Sequence, residues 1–161
     1  MRISKGGRAS IGEIFLLAYQ FPTFEPDLFA SAYCAVPLLD MLRHTEFSVA
    51  RIWMPEYGNP EVEEEFNWIY ETSPYHNVKE DVQYPAVLFY TAVGDVRADP
   101  AHALKMAARL QRASSQSSTH PILLSTDRRA GHGVGLPTEK LVEIRTNQVL
   151  FHARHTGLDL G

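Results

Sequence analysis

Only one cysteine, Cys34, occurs in this 161-residue chain, so no internal disulfide can form and the composition fits a reducing compartment. No run approaches the ~20 apolar residues of a membrane-spanning helix. There is no excess of basic residues: 15 Lys and Arg stand against 19 Asp and Glu, for a formal net charge of −4. That balance gives neither the basic footprint of a nucleic-acid binder nor a polybasic membrane patch. Internal repeats are absent. The histidines at His76, His102, His120, His152 and His155 do not have the spacing of a metal site, and none is assigned a role. Met1-Arg2 and Lys5 precede a moderately apolar stretch from Ile11 to Phe21, but Glu13 interrupts it and no A-x-A cleavage site follows. The reading is a cytoplasmic chain.

What is present suits one globular domain. Hydrophobic residues make up 45% and charged residues 21%, enough to bury a core without dissolving it. Three apolar runs predict strands of a parallel sheet, the first of them buried, since a strand covered on both faces lacks polar alternation. They are Phe29 to Val36, Pro85 to Thr91, and Pro121 to Ser125. Helices are predicted over Ile11 to Tyr19, briefly within Pro37 to His44, over Pro60 to Tyr70 with an acidic first turn, after Asp99-Pro100, and from Leu136 to His155. Asp99 suits an N-cap and Pro100 the first helical position. Arg51 to Pro60 reads as an aromatic loop, Ser73 to Val78 as another, and Ser114 to Ser118 as a polar surface loop. His44 reads as exposed, and Cys34 as an inert core residue. Strand–helix alternation predicts an α/β fold. Three strands make an incomplete sheet, whose apolar edge would need covering.

Chemistry concentrates at two strand ends. Gly94-Asp95-Val96-Arg97 follows the second strand, and Gly131-His132-Gly133 follows the third. An Asp and then a His, each after a strand, is the latter part of an α/β-hydrolase triad, whose chain order is Ser, Asp, His. A nucleophile is therefore expected upstream.

Several segments together resemble the peptidase domain of the prolyl oligopeptidase family. They are Ser73-Pro74-Tyr75-His76-Asn77-Val78, Tyr84-Pro85-Ala86-Val87-Leu88, Gly94 to Pro100 and Ala130 to Thr138. Pro26-Asp27-Leu28-Phe29, Val36 to Leu42 and Trp53-Met54-Pro55-Glu56-Tyr57-Gly58 match as well, so the resemblance runs from about residue 26 to about residue 150. It implies the C-terminal portion of an α/β-hydrolase fold, a parallel sheet flanked by helices. The activity implied is hydrolysis of short peptides after proline, with no metal or organic cofactor. Carried over position by position, Asp95 orients His132, and His132 is the general base. Arg97 hydrogen-bonds a substrate carbonyl, and Trp53 and Tyr57 line the proline pocket. The family's β-propeller and the first half of its hydrolase domain are not encoded in these residues, so a working site would need both as partners of residues 1–161.

The nucleophile segment departs from the family's Gly-Gly-Ser-x-Gly-Gly elbow, whose glycines make room for a strained strand-to-helix turn. The chain reads Gly6-Gly7-Arg8-Ala9-Ser10-Ile11-Gly12-Glu13. In one register Arg8 replaces the serine. In the other Ser10 is the nucleophile, with Arg8 and Ala9 in place of two glycines and Glu13 placing negative charge near a developing oxyanion. A truncated or impaired peptidase and a catalytically dead remnant that keeps the proline pocket both fit this segment. Another α/β-hydrolase, such as a dipeptidyl or acylaminoacyl peptidase or an esterase, fits less well with Trp53, Tyr57 and Asp95-Val96-Arg97.

Overall fold

The computed structural model describes residues 26–115, 118–133, 136–159 and 161. The predicted helix Ile11 to Tyr19 and Ser10 lie outside them. Among the described residues the sheet has three parallel strands in the order β1-β2-β3: β1 (Ser31–Ala35), β2 (Ala86–Ala92) and β3 (Ile122–Asp127). Ser31 pairs with Ala86 and Ala35 with Tyr90 on one side of β2, while Val87 pairs with Ile122 and Ala92 with Asp127 on the other. Every residue of β2 is buried, which is why its sequence is a continuous apolar run.

The strand pleat sends alternate side chains to opposite faces. Ala32, Cys34, Val87 and Phe89 pack against Ala103, Met106, Ala107 and Leu110 of α3 (Ala101–Ala113). Tyr33, Ala86, Leu88 and Tyr90 pack against Ile144 and Phe151 of α4 (Thr138–Thr156). Each face thus has its own helix and its own core. Burial pushes the Cys34 thiol far above its ordinary pKa, as an inert core residue requires.

The elements differ from the sequence expectations in three places. The first strand is shorter than Phe29 to Val36: Phe29 closes a 3-10 turn over Pro26–Leu28, and Val36 turns to φ 43° ahead of Pro37. Arg51 to Pro60 is not a loop. A 3-10 turn, Ala50–Trp53, runs into a short helix, α1 (Met54–Tyr57), with Pro55 near its start and Gly58 ending it at φ 89°. The acidic helix, α2 (Glu63–Thr72), begins after Pro60 because Asn59 first organises a turn by accepting the Glu61 N–H, 3.0 Å. The helices expected after Asp99-Pro100 and over Leu136 to His155 stand within two residues, and the short one expected within Pro37 to His44 is a 3-10 helix, Met41–Glu46. Asp99 Oδ1 accepts the Ala101 N–H at 2.9 Å, so it caps α3 as its sequence position implies.

Candidate active site

The two strand ends are stitched together beyond the sheet. Ala92 pairs with Asp127, the Val93 N–H then bonds the Asp127 carbonyl at 2.8 Å, and the Gly94 N–H bonds the Ala130 carbonyl at 3.2 Å. A β-carbon at position 94 would lie 2.9 Å from the Ala130 carbonyl oxygen, so only glycine permits this approach. Asp127 Oδ1 accepts the Arg129 N–H at 2.8 Å, and its other oxygen pairs with Lys140 at 3.1 Å. The Arg129 hydrogen bond, and after it Lys140, hold the Asp127 carboxyl below its ordinary pKa. Gly133 then reverses the chain at φ 83°.

This course delivers His132 to Asp95. His132 Nδ1 lies 2.8 Å from Asp95 Oδ2 and 3.0 Å from Oδ1. The Asp95 side chain is fully buried, whereas that of His132 is 21% exposed, so the imidazole faces a solvent-accessible side. Asp95 Oδ1 also accepts the N–H groups of Arg97 and Ala98, both at 2.9 Å. Those bonds fold the chain into a tight turn around the carboxylate and leave Arg97 exposed beside it. A carboxylate at Nδ1 places the ring's proton there, leaving Nε2 as the basic nitrogen. This is the arrangement a general base needs.

Trp53 and Tyr57 stand one helical turn apart with rings edge to face, centroids 6.4 Å apart. They are half-buried rather than enclosed in the core. The segment bearing them is anchored at its other end. Phe47 meets the His102 ring edge-on at 4.8 Å, and the Ser48 hydroxyl donates to the Val96 carbonyl at 2.7 Å. The structure thus brings His132 to Asp95, and ties the Trp53 and Tyr57 segment to the turn between Asp95 and Arg97.

Beneath this surface lies a polar network that the sequence reading missed. The fully buried carboxylate of Asp40 pairs with Arg43 at 3.1 Å, with Lys105, and with His76 at 3.6 Å. Burial alone would raise its pKa, but Lys105, His76 and Arg43 outweigh it and hold Asp40 below its ordinary value. His102 Nδ1 accepts the N–H groups of Leu39 and Asp40, at 3.3 and 3.1 Å. Burial pushes its pKa down to about 4, so it is a neutral structural acceptor. His44 is fully buried, not exposed, with Nδ1 2.7 Å from the Met41 carbonyl and its ring edge-on to Tyr57. No cluster of metal-ligating side chains occurs among the described residues, and no helix among them is long and apolar enough to cross a membrane.

Residues 10–158 match the profile of the prolyl oligopeptidase family. The chain belongs to that family. It is 42% identical over 130 residues to the dual function macrocyclase-peptidase POPB of Galerina marginata, covering 78% of this chain and 18% of the relative. It is 36% identical over 153 residues to a prolyl endopeptidase of Elizabethkingia meningoseptica, covering 94% of this chain and 21% of that one. The structure of prolyl oligopeptidase B from Galerina marginata with a 35mer hydrolysis and macrocyclization substrate superposes with a TM-score of 0.78 at 39% identity, over 84% of this chain and 19% of that one. The chain spans about a fifth of the length of the curated relatives it matches. Its three-stranded sheet and flanking helices are the C-terminal portion of the family's α/β-hydrolase fold.

Proposed function

We propose that residues 1–161 form the acid- and base-bearing part of a serine peptidase domain that hydrolyses short peptides after proline. The observation that carries this reading is the buried Asp95 carboxylate spanning His132 Nδ1 at 2.8 and 3.0 Å. Ser10 is the proposed nucleophile. His132 Nε2 takes the proton as the serine oxygen attacks the carbonyl after proline, and Asp95 stabilises the imidazolium that forms. The imidazolium then protonates the leaving amine, and water hydrolyses the acyl-enzyme by the same route. A proline ring rests on the flat indole of Trp53 beside Tyr57, a largely apolar contact, and Arg97 donates to the neighbouring substrate carbonyl. Part of the oxyanion hole comes from the backbone after the nucleophile. The rest comes from other segments of the hydrolase domain, which this chain needs along with the family's propeller. Arg8, Ala9 and Glu13 make the nucleophile turn a poor one, so the rate is low for the family.

A second reading stands on Gly6-Gly7-Arg8, where arginine takes the serine's place and the chain retains a pocket without turnover. The test compares Xaa-Pro amides with simple esters in the complete protein, with and without His132→Ala. Post-proline cleavage that falls by orders of magnitude in the variant supports the first reading. An undiminished rate removes His132 from the mechanism. Equal preference for simple esters removes the proline pocket.

A further inference from the structure

Ser48 is one of three non-glycine residues with positive φ among those described, at 45°. A side chain in that region is crowded by its own backbone, and the conformation persists only where the surroundings dictate it. Here they do. Phe47, the preceding residue, is wedged edge-on against His102, with the Lys105 ammonium 5.4 Å from its ring. Ala50, two residues on, is buried, and its N–H bonds the Phe47 carbonyl at 3.1 Å. The chain must reverse between these anchors, and the reversal aims the Ser48 hydroxyl at the Val96 carbonyl, 2.7 Å away.

Val96 sits between Asp95 and Arg97. Ala98 closes the turn as a buried residue, but Val96 itself is 60% exposed and does not fix the turn by packing. Hydrogen bonds do: Asp95 Oδ1 holds it from inside through the Arg97 and Ala98 N–H groups, and Ser48 holds it from outside. From Ser48 the chain passes directly into the 3-10 turn and α1 that carry Trp53 and Tyr57. The Ser48 hydrogen bond therefore joins the two elements proposed to grip the substrate.

We propose that Ser48 is a positioning residue for substrate binding, setting the spacing between the Trp53–Tyr57 pocket and Arg97. The inference rests on the post-proline reading given above. A proline ring in the pocket and the adjoining carbonyl at Arg97 lie on one short stretch of peptide, so both contacts form together only at one spacing. Loosening it weakens binding in the ground and transition states alike. The His132–Asp95 pair keeps its own hydrogen bonds, so the effect falls on KM and not on kcat.

Two variants of the complete protein separate the hydroxyl from the backbone. Ser48→Gly suits a positive φ but has no donor, whereas Ser48→Asn tolerates that φ and carries an amide donor. With an Xaa-Pro amide, Ser48→Gly is expected to raise KM about three- to tenfold with kcat within about twofold, the loss of one neutral hydrogen bond. Ser48→Asn recovers most of the loss. Amide hydrogen exchange of residues 94–98 quickens in Ser48→Gly while that of β2 is unchanged. An unchanged KM in Ser48→Gly, a loss confined to kcat, or faster exchange throughout the sheet would each overturn the proposal. If the unsubstituted protein cleaves no Xaa-Pro amide, the post-proline reading is what fails. Exchange at 94–98 then decides whether Ser48 holds the turn, and equal rates in the two proteins mean that it does not.

Discussion

Asp95 and His132 meet through both carboxylate oxygens, and the oxygen at 3.0 Å, Oδ1, is the one that also takes the Arg97 and Ala98 N–H groups. The carboxylate is therefore oriented before it meets the imidazole. In Asp95→Asn the amide oxygen must stay at the position facing two backbone N–H donors, which turns the amide NH2 toward His132 Nδ1. Nδ1 becomes an acceptor and the proton moves to Nε2, the wrong tautomer for a base. Turnover is expected to fall about 10⁴-fold with KM little changed, as for a comparable aspartate in another serine peptidase. Steady-state kinetics of the variant check this, and a loss below about tenfold would contradict the assigned role of Asp95.

Gly94 controls the same pair from the backbone. The methyl of Gly94→Ala would press on the Ala130 carbonyl oxygen at 2.9 Å and push apart the turns that carry Asp95 and His132. A displacement on the order of 1 Å at a reacting group costs about 100-fold in rate. The variant is expected to lose activity on that scale, and wild-type kcat in a folded Gly94→Ala protein would refute the close-approach argument.

His102 makes stability depend on pH. Its folded pKa is depressed to about 4 from an ordinary 6.5, because burial disfavours the charged ring and Nδ1 is already an acceptor. The unfolded chain thus takes up a proton that the folded chain refuses. This contribution is fully present above about pH 6.5 and is lost as pH falls toward about 4. The full loss is on the order of 3 kcal/mol at about 1.4 kcal/mol per pKa unit. Urea midpoints measured across that range should decline. His102→Gln should flatten the decline, and an identical slope in both proteins would show that His102 is not its source.

Asp40 is the anchor of the buried network. Removing its charge leaves Lys105, Arg43 and His76 crowded together without a counter-ion, although Arg43 and Lys105 are 48% and 31% exposed and regain some hydration. Loss of one partner of a fully buried pair costs about 3–5 kcal/mol, and the exposure here lowers the expectation for Asp40→Asn to about 2 kcal/mol. Denaturant unfolding measures the change. A variant as stable as the parent would mean the ion pairs add nothing.

The sheet was legible because its chemistry is local. A strand covered on both faces must be apolar throughout, so β2 stands out in the sequence, and Asp95 and His132 are marked by the strands before them. The role of Gly94 was not legible, because its partner, the Ala130 carbonyl, belongs to another strand's turn. What stayed hidden depends on contacts between distant segments. Asp40 sits in the apolar stretch Pro37 to Met41, and nothing near it announces Lys105. His44 was expected at the surface, yet it is fully buried, with the Met41 carbonyl at its Nδ1 and Tyr57 edge-on to its ring. Pro55 and Gly58 suggested a loop, whereas Pro55 stands near the start of a helix and Gly58 ends it. Asp127 went unassigned because its capping of the Arg129 turn follows from where β3 ends.

The His132–Asp95 pair is proposed to activate a serine of this chain. Labelling the purified protein with a fluorophosphonate, which reacts only with a serine activated by a nearby base, followed by peptide mapping, tests it directly. An adduct on Ser10 that forms slowly and is lost in His132→Ala is expected. No adduct in a sample shown to be folded would contradict it, and would identify the chain as a remnant of its family that has lost the nucleophile.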